Sequence, residues 1–301
     1  MQMKLFLKKP TFRSWAQKHT YLLFIAPAVL AMFALIGFPL LYTVYMSIHK
    51  FFIGSRRPPR FLGLENFYHA LSNSAFQESV LRTLAYTTLA VLIPTVLGLI
   101  SALVFAKSFR GRGLLRTIFI LPMMATPVAM ALVWQMMFHP TLGILNYLLS
   151  LVGLPPSLWI FSRDTVIPSL AMVDTWHSTP FMMLIILGGL ATLPKELFEA
   201  ATVDGSSAIQ KFWYITLPLL WPYILVAVLI RTIDALKAFD HIYVMTQGGP
   251  GDASLTMNIY LYLQAFAYYH IGYASAVVLL FFCLILLCSL FLLYVRRKVI
   301  W

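Results

Sequence analysis

The sequence predicts an all-α, polytopic membrane protein with six transmembrane helices, and three observations predict it. The 301 residues are 60% hydrophobic and only 11% charged, too little charge to cover a soluble domain of this size. The apolar residues gather into six long runs, at about 21–48, 83–106, 114–138, 166–191, 219–246 and 273–295. Each exceeds the ~20 residues that carry a helix across ~30 Å of hydrocarbon. Finally, none of the runs shows the alternating polarity of the ten-residue segments, roughly, that build a membrane β-barrel.

The formal net charge is +12, a balance that in a soluble chain would suggest nucleic acid. Its distribution places it at membrane edges instead. Lys4, Lys8, Lys9, Arg13 and Lys18 precede the first run. Lys107, Arg110, Arg112 and Arg116 separate the second from the third, and Arg296, Arg297 and Lys298 follow the sixth. The positive-inside rule makes these ends cytoplasmic, and six spans then put both termini there. Lys50, Arg56, Arg57 and Arg60 in the first external loop run against the rule. The first run is too long for a signal-peptide core, and no small-residue cleavage site follows it, so it reads as a retained helix. Residues 1–301 form one membrane domain, with external loops at about 49–82, 139–165 and 247–272. Cys283 and Cys288 lie inside the last run and read as packing residues, not as a disulfide or metal site.

The long cytoplasmic connection, at about 192–218, says most. Pro194 opens and Gly205 closes a short helix whose stripe is Leu197, Ala200 and Ala201. Ser207 followed by Gln210 has the spacing of a capping box, which starts a second short helix with Ile209, Phe212 and Trp213 on one face. Leu217-Pro218 is expected to end it. Two short helices with apolar faces at the inner surface suit docking into a groove on another protein.

At this point the chain resembles the permeases of binding-protein-dependent ABC importers, whose loop carries E-A-A-x3-G-x9-I-x-L-P. Glu199-Ala200-Ala201, Gly205, Ile215 and Leu217-Pro218 stand at those spacings, with Asp204 just before the glycine. The resemblance implies the type I ABC importer permease fold in a bacterial cytoplasmic (inner) membrane. It implies that the loop is the coupling helix seated in a cleft of an ATPase subunit, with Glu199 making the polar contact and Gly205 permitting the turn. Further stretches resemble the carbohydrate-uptake branch, typified by the larger permease of the maltose importer, without that protein's extra N-terminal helices and large external domain. They are Phe61-Leu62-Gly63-Leu64-Glu65-Asn66-Phe67, Leu121-Pro122, Trp134, Pro140, Gly143, Asn146, Trp176, Pro180-Phe181, Gly248-Gly249-Pro250 and Gly272-Tyr273-Ala274-Ser275-Ala276.

Ionisable residues at membrane depth are costly and usually face a cavity or a partner. The fifth run carries Arg231, Asp234, Lys237 and Asp240 at i, i+3 spacing with alternating sign. They read either as a self-neutralising ladder along one helix, with Arg231 meeting Asp234, or as the polar lining of a solute path. The fourth run adds Asp174, Trp176, His177, Ser178 and Phe181. Aromatic faces beside hydrogen-bonding groups suit a sugar, although a lone histidine here reads equally as a core residue. The resemblance carries the sugar contacts of the maltose-type permease onto Asp174, His177, Ser178, Phe181, Arg231, Asp234, Ala235 and Ala238. The residue types differ at most of these positions, so a polyol or a glycerol-phosphate-type solute stays open.

No catalytic residue or metal site is expected. The seven histidines and two cysteines form none of the usual metal or haem spacings. A self-contained secondary carrier would ordinarily show more spans and internal repeats. No G-x-x-x-x-G-K-[ST] is present, so this chain is expected to hold no cofactor. ATP and Mg would sit on a partner ATPase dimer. The other expected partners are a second homologous permease, an extracytoplasmic solute-binding protein and membrane lipid, with no nucleic acid.

Overall fold

The computed structural model describes residues 20–54 and 58–300. The N-terminal basic cluster Lys4, Lys8, Lys9, Arg13 and Lys18, and Arg56 and Arg57 of the first external loop, lie outside the described residues. Among the described residues five helices are long and apolar enough to cross a membrane, or six when one sharply bent pair counts as a single span.

Span one comprises α1 (Thr20–Met32), a π-turn at Phe33–Gly37 and α2 (Phe38–Ser47). A short hairpin follows, β1 (His49–Lys50) pairing antiparallel with β2 (Arg60–Phe61). Helix α3 (Glu65–Ser72) comes next. Its Asn66 amide donates to the carbonyls of Ser47 and His49 at 2.8 and 3.1 Å, locking the hairpin onto the end of span one.

Span two, α4 (Ser74–Ala106), starts well before the expected position 83. The Asn73 side chain accepts from the N–H groups of Ala75 and Phe76 at 2.9 and 3.3 Å, and this cap lets the helix begin before the membrane does.

Span three was expected to be one helix over 114–138. Instead α5 (Arg112–Met124) and α6 (Pro127–Met137) meet at 98°. Ala125 and Thr126 between them are extended, with ψ of 137° and 140°. Pro127 excludes the helical region for Thr126 and starts a new helix at its own position.

Helix α7 (Ile144–Leu151) leads to span four, α8 (Val166–Ala191). Then come α9 (Lys195–Val203) and α10 (Ala208–Lys211). The second short helix does not stop at Leu217-Pro218. It passes through a π-turn at Phe212–Thr216 into α11 (Leu217–Leu236), giving one stretch from Ala208 to Leu236. Pro218 falls in the first turn of α11, and the Leu217 N–H reaches back to the Phe212 carbonyl. The wider turn absorbs the donor that proline lacks.

At its far end this span stops at Leu236, ten residues short of the expected 246. Lys237–Phe239 are non-helical, and α12 (Asp240–Thr246) is a separate helix. The Asn258 amide donates to the carbonyls of both Leu236 and Ala238 at 3.2 Å, satisfying acceptors that the break would otherwise orphan. The last connection holds α13 (Met257–Tyr262) and a π-turn at Leu263–Ala267, and span six is α14 (Ile271–Ile300).

Spans two and four form the centre. A Cβ on Gly98 would lie 2.6 Å from Met182 Cβ and 3.0 Å from the Met183 nitrogen, so glycine sets how closely α4 and α8 approach. Met182, Met183, Ile186 and Leu220 are fully buried at this end of the contact, and Tyr86 and Leu170 in a second core cluster. Span one stands at the periphery: Phe24 is 81% and Leu35 76% exposed, while α2 packs against α14. Cys283 is exposed on α14 and Cys288 half-buried, both as free thiols.

Candidate solute cavity and coupling loop

Spans three, four and five enclose a cavity of about 450 Å³. The breaks in spans three and five both open onto it. Met123, Pro127 and Met130 flank the first break, and Ala238, Phe239 and His241 come from the second. The uninterrupted α8 supplies Asp174, His177, Ser178 and Phe181 from one face. A helix interrupted at membrane depth is tolerated where it lines such a cavity.

Arg231 and Asp174 anchor the site. Both are buried, and the Arg231 guanidinium forms an ion pair with Asp174 across the α8–α11 contact. Arg231 Nε also donates to the Ala90 carbonyl of α4 at 3.1 Å, and Ser178 Oγ donates to the other Asp174 oxygen at 3.3 Å. The expected meeting of Arg231 with Asp234 therefore does not occur. The stronger partner is on the neighbouring helix, where both charges are largely withdrawn from solvent and each gains a further hydrogen bond.

Asp234 instead faces Lys237 at 3.8 Å, with both side chains more than half exposed to the cavity and its mouth. Asp240 has no cationic partner among the described residues. It lies beyond the break on α12, so the four charges do not form a ladder along one helix. His241 Nε2 and the buried Tyr86 hydroxyl hydrogen-bond at 2.8 Å, closing the cavity against span two. His177 lines the cavity from α8 beside the residues that flank the break in span three.

Of the proposed path residues, Asp174, His177, Ser178, Phe181, Arg231, Asp234 and Ala238 line this cavity. Trp176 and Ala235 do not. Trp176 points to the other side of α8, 44% exposed and edge-on to Trp134 with ring centroids 5.8 Å apart. Two residues on from Asp174 is about half a helical turn away. Ala235 turns into the hydrophobic core at 1% exposure. Sequence reading missed Met123, Met130, Phe239 and His241. The signal for the first two was Pro127, which marks a helix start inside an apolar run.

At the other end of the molecule, α9 closes with a Schellman motif. Ser206 N–H donates to the Ala201 carbonyl at 2.9 Å and Gly205 N–H to that of Thr202 at 3.1 Å. Gly205 has φ of +77°, the left-handed conformation such a close requires. The capping box is present: Ser207 N–H donates to Gln210 Oε1 at 2.7 Å, and Gln210 N–H to Ser207 Oγ at 3.3 Å. Lys211 Nζ donates to Thr202 Oγ1 at 2.7 Å, tying α10 to α9. Ala201 is buried under this pair of helices, whereas Glu199, Ala200, Asp204 and Gly205 are exposed. Ile215 and Leu217 are half-buried and Pro218 exposed at the start of span five. Val203, Ile209, Trp213 and Tyr214 stay 58–88% exposed on α9, α10 and the π-turn that follows, and Glu199 is exposed on α9.

Residues 94–301 match the family described as the binding-protein-dependent transport system inner membrane component. The chain belongs to this family. Its multi-pass helical architecture is therefore that of an ABC importer permease. It is 37% identical over 278 residues to a trehalose/maltose transport system permease protein of Thermococcus litoralis, covering 91% of this chain and 92% of that one. It is 34% identical to the sulfoquinovosyl glycerol transport system permease protein of Agrobacterium fabrum, over 87% of this chain and 85% of the relative. The fold is that of a permease in a bacterial ABC transporter involved in import of the acidic polysaccharide alginate. That likeness has a TM-score of 0.81 at 22% identity and covers 95% of this chain and 99% of the other. Within this family fold, the two helix breaks and the α9–α10 loop lie toward opposite ends of α11.

Proposed function

We propose that this permease forms half of the path by which an uncharged sugar or sugar-like solute crosses the bacterial inner membrane, and that the cavity between spans three, four and five is its contact site. The observation that carries the reading is the charge arrangement of that cavity. Asp174, Asp234 and Asp240 oppose only Arg231 and Lys237, so three carboxylates against two cations leave one negative charge with the histidines neutral. Both cations already face carboxylates. A phosphorylated or acidic solute would find no free cation there, which disfavours the glycerol-phosphate alternative. A polyhydroxyl solute would find Phe181 and Phe239 for its CH faces and Asp234, Lys237, Asp240 and His177 for its hydroxyls. The volume falls among cavities that hold small ligands, roughly 300–1,000 Å³. Several relatives, including those from Thermococcus litoralis and Mycobacterium tuberculosis, are named as trehalose or maltose permeases.

In this reading both termini and the α9–α10 loop are cytoplasmic, as the basic residues at 107–116 and 296–298 favour. The exposed apolar residues of this loop, with Glu199, dock an ATPase dimer that holds ATP and Mg. A second permease completes the path, and a binding protein delivers the solute from outside. Uptake of radiolabelled trehalose and maltose by cells expressing the full transporter tests the solute class. An uncharged disaccharide should be taken up, and glycerol 3-phosphate should not compete. Competition by the phosphate ester, abolished by Arg231→Ala, would overturn the reading.

A further inference from the structure

The connection between α4 and α5 carries four positive residues, and the fold sorts them into two pairs. Lys107 and Arg110 are exposed. Arg112 and Arg116, one turn apart on α5, are half-buried and line a separate cavity of about 350 Å³ at the ends of α4, α5 and α8. The remaining wall is apolar, with Ala106, Leu184, Leu187 and Leu190. Neither guanidinium has a carboxylate partner among the described residues. Arg231, also withdrawn from solvent, does have one. Like charges one turn apart repel, and withdrawing them from water costs more unless an anion compensates. Two planar forks lining one cavity beside an apolar wall fit a phosphate joined to hydrocarbon.

We propose that this cavity binds the phosphodiester head of an anionic glycerophospholipid, with Arg112 and Arg116 on the phosphate and an acyl chain along Leu184 and Leu187. Basic pockets between helix ends at the membrane edge are suited to such headgroups. The site is distinct from the solute cavity. It uses only this chain and a lipid, so it stands or falls independently of the transport reading.

The test is native mass spectrometry of the full-length chain released from nanodiscs of phosphatidylcholine doped with phosphatidylglycerol. Wild type should retain phosphatidylglycerol selectively. R112A/R116A should lower that retention about tenfold or more, by the typical contribution of two basic residues near a lipid surface. K107A/R110A, which removes equal charge from the same connection, should match wild type. If the alanine pair does not fold, R112K/R116K keeps the charge but loses the fork and should still lower retention several-fold. Equal retention by wild type and the Arg112/Arg116 variants would overturn the site. So would an equal fall in K107A/R110A, which would mark diffuse attraction. Stabilisation of the chain in pure phosphatidylcholine by inorganic phosphate, without selective lipid retention, would overturn the lipid assignment in favour of a soluble anion.

Discussion

Arg231 and Asp174 are the costliest residues in the bundle to leave alone. Each is buried, and each has the other as its charge partner. Removing one partner from a buried pair costs about 3–5 kcal/mol, whereas replacing both with apolar residues of similar size is close to neutral. Arg231→Met should therefore lower the yield and thermal stability of the purified chain, and Arg231→Met with Asp174→Leu should restore them. If the cavity takes the solute, the double variant should remain unable to transport despite its recovered stability. Normal uptake by that variant would remove both residues from the solute path. Gly205 is a second position at which one atom decides. Its φ of +77° makes any Cβ strained, and nothing within 4 Å would meet that atom. The cost of Gly205→Ala is thus conformational, about 1–2 kcal/mol. It should appear as fraying of α9 in hydrogen exchange, with the spans unaffected.

Element packing turns on places where the chain departs from a regular helix or admits no side chain. Gly98→Val should force α4 and α8 apart, because even its Cβ would sit 2.6 Å from Met182 Cβ. Overpacking of this kind costs typically ~1–3 kcal/mol. Gly113→Ala meets nothing within 4 Å and should be neutral or slightly stabilising in its helix. Equal thermal midpoints for the two variants would show that Gly98 does not set the spacing. The six apolar runs, the Gly205 turn and the Ser207–Gln210 cap were legible because each rests on local chemistry: hydrophobic length, left-handed backbone and side-chain capping. The break at Pro127 was locally signalled but submerged in a continuous apolar run. The break after Leu236 had no local signal. It depends on Asn258, 22 residues away, reaching the carbonyls of Leu236 and Ala238. The candidate site was legible to the same degree. One helical face of α8 gave Asp174, His177, Ser178 and Phe181. Pairing of Arg231 with Asp174 required knowing which helices touch, which spacing along one helix cannot supply.

For the whole molecule, the decisive arrangement is that the proposed solute cavity and the proposed coupling surface occupy opposite ends of one continuous helical stretch from Ala208 to Leu236. This stretch joins α9 and α10 to the Arg231–Asp234 region through the π-turn at Phe212–Thr216, and coupling and solute contact should be separable by mutation. Glu199 is exposed and has no ion-pair partner among the described residues, and Val203, Ile209 and Trp213 in the same loop region are exposed too. Glu199→Lys removes no buried contact and should leave insertion and thermal stability of the chain unchanged. It should abolish uptake and the ATP hydrolysis stimulated by the loaded binding protein, because an interface built for a carboxylate meets a reversed charge. Arg231→Met with Asp174→Leu should show the converse: the ATPase stays bound in pull-down while uptake is lost. Reconstitution makes the division explicit. The chain alone in liposomes should neither hydrolyse ATP nor accumulate sugar, and activity should return only with an ATPase, a second permease and the binding protein together. Sugar accumulation by the chain alone, driven by an ion gradient, would identify a secondary carrier and sink the assembly. Wild-type uptake by Glu199→Lys at normal expression would leave the assembly intact but detach it from this loop.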